Sequence, residues 1–161
     1  MLLALAFFIG VVAGLRTMTA FAAASWAAYL GGIVPPGHLL AFLGNAWTPW
    51  VLSIAACAEL VKDKLPNTPS RKAPVGFSLR LLVGGIGAAV LTIGQGEGLI
   101  GTVLGVAGAV VGTLAGASAR TRLASDFGHD LPAALIEDVI AILAAITIVA
   151  LTVLGWSRYC P

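Results

Sequence analysis

Charge is the scarcest property of this sequence. Nine lysines and arginines and seven aspartates and glutamates make up 10% of 161 residues, against about 25% in an average soluble domain. Hydrophobic residues account for 59%, and the mean hydropathy is +1.00. A soluble fold of this size cannot hide so much apolar surface. A net charge of +2 on scattered side chains gives no footprint for nucleic acid, so none is expected as a partner. Cysteine is nearly absent too. Cys57 in an apolar run and Cys160 at the tail form neither a disulfide framework nor a metal-ligand spacing. His38 and His129 stand apart without neighbouring ligands, which argues against a catalytic metal. No Gly-x-Ser-x-Gly occurs, and the glycine-rich stretch after Leu99 lacks the Gly-Lys-Ser/Thr ending of a phosphate loop. No cofactor is expected.

What remains is a single membrane domain over residues 1–161, all-α and polytopic. A span needs about 20 residues to cross roughly 30 Å of hydrocarbon, so the length allows about five segments. Leu2 to Val34 is too long for one upright span and must break or turn back at Gly14-Leu15-Arg16-Thr17-Met18-Thr19. Leu2 to Ala13 is read as part of the mature fold, because no positively charged segment precedes it. Pro35-Pro36-Gly37 ends the first region. Thr48 as cap and Pro49 at the first helical position start a helix running to about Lys64, with Trp47 and Trp50 suited to the membrane interface. Further spans are expected over about Val75 to Gly94, Leu99 to Ala119 with Arg120-Thr121-Arg122 closing it, and Asp130 to Trp156. Seven of the nine basic residues, Lys62, Lys64, Arg71, Lys72, Arg80, Arg120 and Arg122, fall on one side of this layout. By the positive-inside rule that side, including the basic loop 62–80, is cytoplasmic in an inner (plasma) membrane. The amino terminus is then inside if the first region crosses once, and outside if it is a re-entrant hairpin.

Gly10 to Thr17 is echoed by Gly112 to Thr121, each a glycine pair followed by Arg-Thr. Interrupted helices and inverted repeats are typical of transporters, so an inverted repeat is one reading of this echo. Gly101, Gly105, Gly108, Gly112 and Gly116 form a small-residue face of the fourth span, suited to close helix approach. It serves either packing within one subunit or contact between copies in a homo-oligomer.

The candidate site residues are the misplaced polar groups. Arg16, with Thr17, Thr19 and the start of the following helix, either binds an anion or balances a carboxylate; alternatively its long stem reaches the headgroups. Glu59 and Asp63 share a helix face. Together with Glu137 and Asp138 they form either an ionisable centre answered by Arg16, Arg80 and Arg120, or the edge of the membrane. The proline-rich segment after Asp63 reads as a stiff linker attracted to anionic lipid, or as a gate.

Gly14-Leu15-Arg16 with its following helix, Glu59-Leu-Val-Lys-Asp63-Lys64-Leu65-Pro66 and Ile136-Glu137-Asp138 resemble the bacterial membrane family known as domain of unknown function 4126. The resemblance covers most of the chain. It implies a small polytopic inner-membrane protein and supplies no activity, substrate or site residues. The residues themselves lead to transport of a small polar or ionic solute, or a lipid headgroup, through a charged centre formed by Arg16, Thr17, Thr19, Glu59, Asp63, Arg120, Glu137 and Asp138. Membrane lipid and a second copy of the chain are the expected partners. A structural or accessory subunit is the first alternative. A lipid-modifying enzyme using Glu59 or Asp63 is the second.

Overall fold

The computed structural model describes residues 1–63 and 74–157. The proline-rich segment from Lys64 to Ala73, the Lys64-Leu65-Pro66 end of the family-like stretch, and Cys160 lie outside them. Among the described residues the protein is all-helical, with six α-helices: α1 (Leu2–Leu15), α2 (Thr17–Gly31), α3 (Thr48–Lys62), α4 (Pro74–Thr92), α5 (Gly98–Phe127) and α6 (Asp130–Trp156). Short 3-10 turns, Leu39–Gly44 and Ile93–Gln95, precede α3 and follow α4.

Three of these helices, α4 with its 3-10 extension, α5 and α6, are long and apolar enough to cross a membrane. α1, α2 and α3 have 14, 15 and 15 residues, or about 21 to 22 Å at 1.5 Å per residue. That is short of a roughly 30 Å hydrocarbon layer. The helices thus divide into three long enough to span a membrane and three shorter ones.

The first region turns back. Arg16 alone separates α1 from α2, in an extended conformation (φ −139°, ψ 104°) that ends one helix and starts the next. Gly155 faces Met1, and Gly94 faces both the Ile33 carbonyl and the Trp156 ring, so both ends of the α1–α2 unit lie at one end of the bundle. Halfway down, Gly87 of α4 meets Ile9 of α1 and Ala24 of α2. Arg16 is the tip of a V-shaped hairpin whose arms straddle α4.

The rest follows the same plan. Trp26 Nε1 donates to Ser53 Oγ at 3.1 Å, while the amides of Thr17 and Met18 reach Glu59, so α3 runs antiparallel to α2. α3 and α4, and then α5 and α6, each lead toward the Arg16 end and back. Every lysine and arginine among the described residues, Arg16, Lys62, Arg80, Arg120 and Arg122, lies toward that end.

The glycine face of α5 is used inside the subunit. A methyl group on Gly105 would strike the Gly84 carbonyl of α4, and one on Gly108 or Gly112 would strike the Phe7 or Val11 carbonyl of α1. Glycine at these positions lets three backbones meet. From Gly101 to Gly112 the face is thus occupied by α1 and α4 and is not an open surface for a second copy. α1 and α5 also run in the same direction, with Gly10 beside Gly105 and Gly14 beside Ala109 and Thr113. The Gly-Arg-Thr echo therefore relates parallel helices, whereas an inverted repeat would set them antiparallel.

Three helix ends differ from expectation. Arg120 to Arg122 do not close α5, which continues to Phe127 and stops at Gly128 with φ +69°. The Thr48 hydroxyl does not cap α3, because it donates to the Phe42 carbonyl at 2.7 Å. α2 stops at Gly31, before the prolines, where Gly32 adopts φ +57°.

Candidate functional site: a charge cluster at the hairpin tips

The charged residues scattered along the sequence converge because each hairpin turns at the same end. Tip one contributes Arg16, tip two Glu59 and Asp63, and tip three Arg120, Asp130, Glu137 and Asp138. Arg16 is only 1% exposed, so its stem does not carry it to solvent. A buried guanidinium needs charge partners. It has two. One terminal nitrogen pairs with Asp63 Oδ2 at the C-terminal cap of α3, and the other lies 2.6 Å from Asp138 Oδ1 of α6.

Asp63 Oδ2 also accepts from Arg120 Nη1 at 3.0 Å, so one carboxylate oxygen joins α3 to both arginines. Arg120 grips Asp130 with a two-point contact, Nε to Oδ1 at 2.9 Å and Nη2 to Oδ2 at 2.6 Å, the geometry that gives arginine–carboxylate pairs their strength. Glu137 Oε2 stands 4.0 Å from Arg120 Nη1.

Glu59 does something different. Arg16 occupies the N-cap position of α2 and provides no side-chain cap, which leaves the first amides of that helix without intrahelical partners. Glu59 supplies the acceptors from another helix: its Oε1 and Oε2 take the Thr17 and Met18 amides at 3.1 and 2.8 Å. The carboxylate also complements the positive end of the helix dipole. The anion expected at this half-helix start is thus a residue of the chain itself.

The sequence-expected residues Arg16, Glu59, Asp63, Arg120, Glu137 and Asp138 are brought together. Thr17 joins them through its backbone amide. Thr19 is buried two residues further along α2, and its hydroxyl has no hydrogen-bond partner among the described residues. Asp130 was missed as a site residue because its place beside Pro132 reads as a helix start. Its spacing of ten residues from Arg120, across a Gly128 turn, is the signal that could have found it. His38 lies away from this cluster, where its Nδ1 accepts the Leu40 amide at 3.1 Å and caps the 3-10 turn.

Beside the cluster is a cavity of about 240 Å³ between α1, α5 and α6, lined chiefly by apolar groups with Arg120 and Glu137 among them. The Arg16 guanidinium is closed in by its ion pairs and does not line it.

Neither the curated proteins nor the solved structures contain a match to this chain. A family model, domain of unknown function (DUF4126), matches residues 3–157. The chain, a membrane-like helical protein with most of its described charges gathered at one end, belongs to that family of unknown function.

Proposed function

We propose that the protein is a small membrane transporter or channel for a small cationic solute or the proton, with the charge cluster as its gate, drawn closed. The observation that carries this reading is Arg16, buried at the tip of a hairpin too short to cross and held by carboxylates from α3 and α6. Charged side chains within membrane segments are costly and mark ion pathways and proton relays. Re-entrant backbone is tolerated where protein buries it or where it lines a water-filled cavity.

Five carboxylates, Glu59, Asp63, Asp130, Glu137 and Asp138, surround Arg16 and Arg120. A cation or proton arriving at Asp63 or Asp138 competes with Arg16 for the same oxygens. That competition weakens the ties between tips one, two and three. It favours a cationic cargo over an anionic one, because Asp63, Asp138 and Glu59 already fill the anion positions around Arg16 and the α2 start. By the positive-inside rule the tips face the cytoplasm.

Proteoliposomes loaded in turn with a pH-, a sodium- and a potassium-sensitive dye test this under the matching imposed gradients. The expected result is flux above that of empty liposomes, changed at least tenfold by Arg16→Ala and by Glu59→Gln. Native flux no greater than the lipid background, or flux unchanged in both variants, would overturn the proposal. A second reading, a structural subunit with the cluster as a latch, is favoured by the direct pairing of Arg16 and Arg120 with carboxylates. It requires no native flux, together with a lower melting temperature in Arg16→Ala.

A further inference from the structure

We propose that the cavity between α5 and α6 holds an acyl chain of a zwitterionic phospholipid, with its headgroup beside Arg120 and Asp130. This inference rests on membrane embedding and not on transport. The cavity has a structural origin. α5 carries its small-residue face onward through Gly112, Ala115, Gly116 and Ala119, but α1, which covers the first part of that face, ends at Leu15 where the hairpin turns. Ala133 on the α6 side is equally small. The short hairpin therefore leaves Ala115 and Ala119, on the lower part of the face, exposed.

At about 240 Å³ the space is far larger than an ordinary packing gap. Its lining offers a water few polar partners, and a water needs two to four. Along two helices that are membrane spans by length and composition, the apolar guest at hand is a lipid tail.

The charged groups nearby select the rest of the molecule. Arg120 lines the cavity, and its partner Asp130 has a side chain 62% exposed. A headgroup with a phosphate and an ammonium meets both signs of charge there: the ammonium faces Asp130, and the phosphate faces Arg120.

The test is photocrosslinking in vesicles of phosphatidylethanolamine and phosphatidylglycerol, each doped in turn with the same lipid bearing a diazirine on its acyl chain. Labelled positions are mapped by mass spectrometry. The expected result with phosphatidylethanolamine is labelling at 115–123 and 133–140 at least threefold above that at Leu79 and Leu82, which are exposed on α4. Phosphatidylglycerol, lacking the ammonium, should label the cavity at least threefold less. Ala119→Leu, which fills the cavity, should reduce cavity labelling at least threefold and leave Leu79 and Leu82 unchanged. Ile136→Phe should do the same from the α6 side, should Ala119→Leu fail to fold. Equal labelling of cavity and α4 positions in the native protein, labelling indifferent to both filling variants, or a crosslink from the cavity to a second copy of the chain would each overturn the proposal. Equal labelling by the two lipids would overturn its choice of headgroup.

Discussion

Removing one charge from the cluster has a different consequence at each position, and those differences separate the roles of its residues. Asp138 contacts Arg16, whereas Asp63 contacts both arginines. Asp138→Asn leaves Arg16 with Asp63, and Asp63→Asn weakens the ties to both Arg16 and Arg120. Breaking a buried pair costs about 3–5 kcal/mol because the remaining charge is uncompensated. The expected order of thermal stability in detergent is therefore native, then Asp138→Asn, then Asp63→Asn. Arg16→Met combined with Asp138→Leu should recover most of the loss seen in Arg16→Met alone, since a buried pair replaced by apolar groups of similar volume is often neutral. A double-mutant cycle by thermal melting measures this coupling.

Glu59 is a helix cap in trans. Losing a cap costs about 0.5–2 kcal/mol. Glu59→Ala should lower the melting temperature, and Glu59→Gln, which keeps an amide oxygen for one of the two amides, should lower it less. Melting both variants beside the native protein checks this order. These residues were legible in the sequence because charge is so rare in it. Every acidic or basic group in an apolar run had to find a partner. Asp130 was not legible, because a carboxylate at a helix start has a sufficient local explanation and nothing in its surroundings announces a partner ten residues earlier.

At the scale of helices, the packing of α1 on α5 and α4 depends on the absence of side chains. A Cβ on Gly10 would collide with the Gly105 backbone, which has no flexible end to move aside. Gly76 in α4 has nothing within 4 Å of its Cβ direction. Gly10→Ala should thus destabilise by about 1–3 kcal/mol, the usual cost of overpacking. Gly76→Ala should be neutral or stabilise by up to about 1 kcal/mol, since alanine is the better helix former. Chemical denaturation of both variants in mixed micelles measures the contrast, and equal effects would mean that the helices do not approach as closely as described. The glycine spacing on α5 announced a close-packing face, but not its partner. Periodicity marks a face, whereas its occupant depends on long-range topology. The lengths of α1 and α2 were hidden for a related reason: Leu2 to Gly14 and Ala20 to Ile33 are apolar almost throughout, so no amphipathic stripe showed which way either arm leaned.

For the whole molecule, the decisive question is whether the chain turns back at Arg16. A single interrupted span puts Met1 and Gly37 on opposite faces of the membrane. The hairpin puts both on the face that also carries the Gly96 turn, and leaves Lys62 and Asp126 on the other. The three-hairpin plan requires this, because Met1 meets Gly155, Ile33 meets Gly94, and Arg16 meets Asp63 and Asp138. In a background with Cys57 and Cys160 changed to serine, single cysteines at positions 1, 37, 96 and 126 can be labelled with a membrane-impermeant thiol reagent in sealed, uniformly oriented vesicles. The expected pattern is that positions 1, 37 and 96 label together and position 126 labels only after permeabilisation, or the reverse in inverted vesicles. Opposite accessibility of positions 1 and 37 would mean that the chain crosses at Arg16. The partners of Arg16 would then have to be sought near the middle of the bilayer and not at the three tips. Agreement between positions 1 and 37 instead fixes the charge cluster at one end of the bundle. On the proposed transport function, a solute meets the cluster before the rest of the bundle.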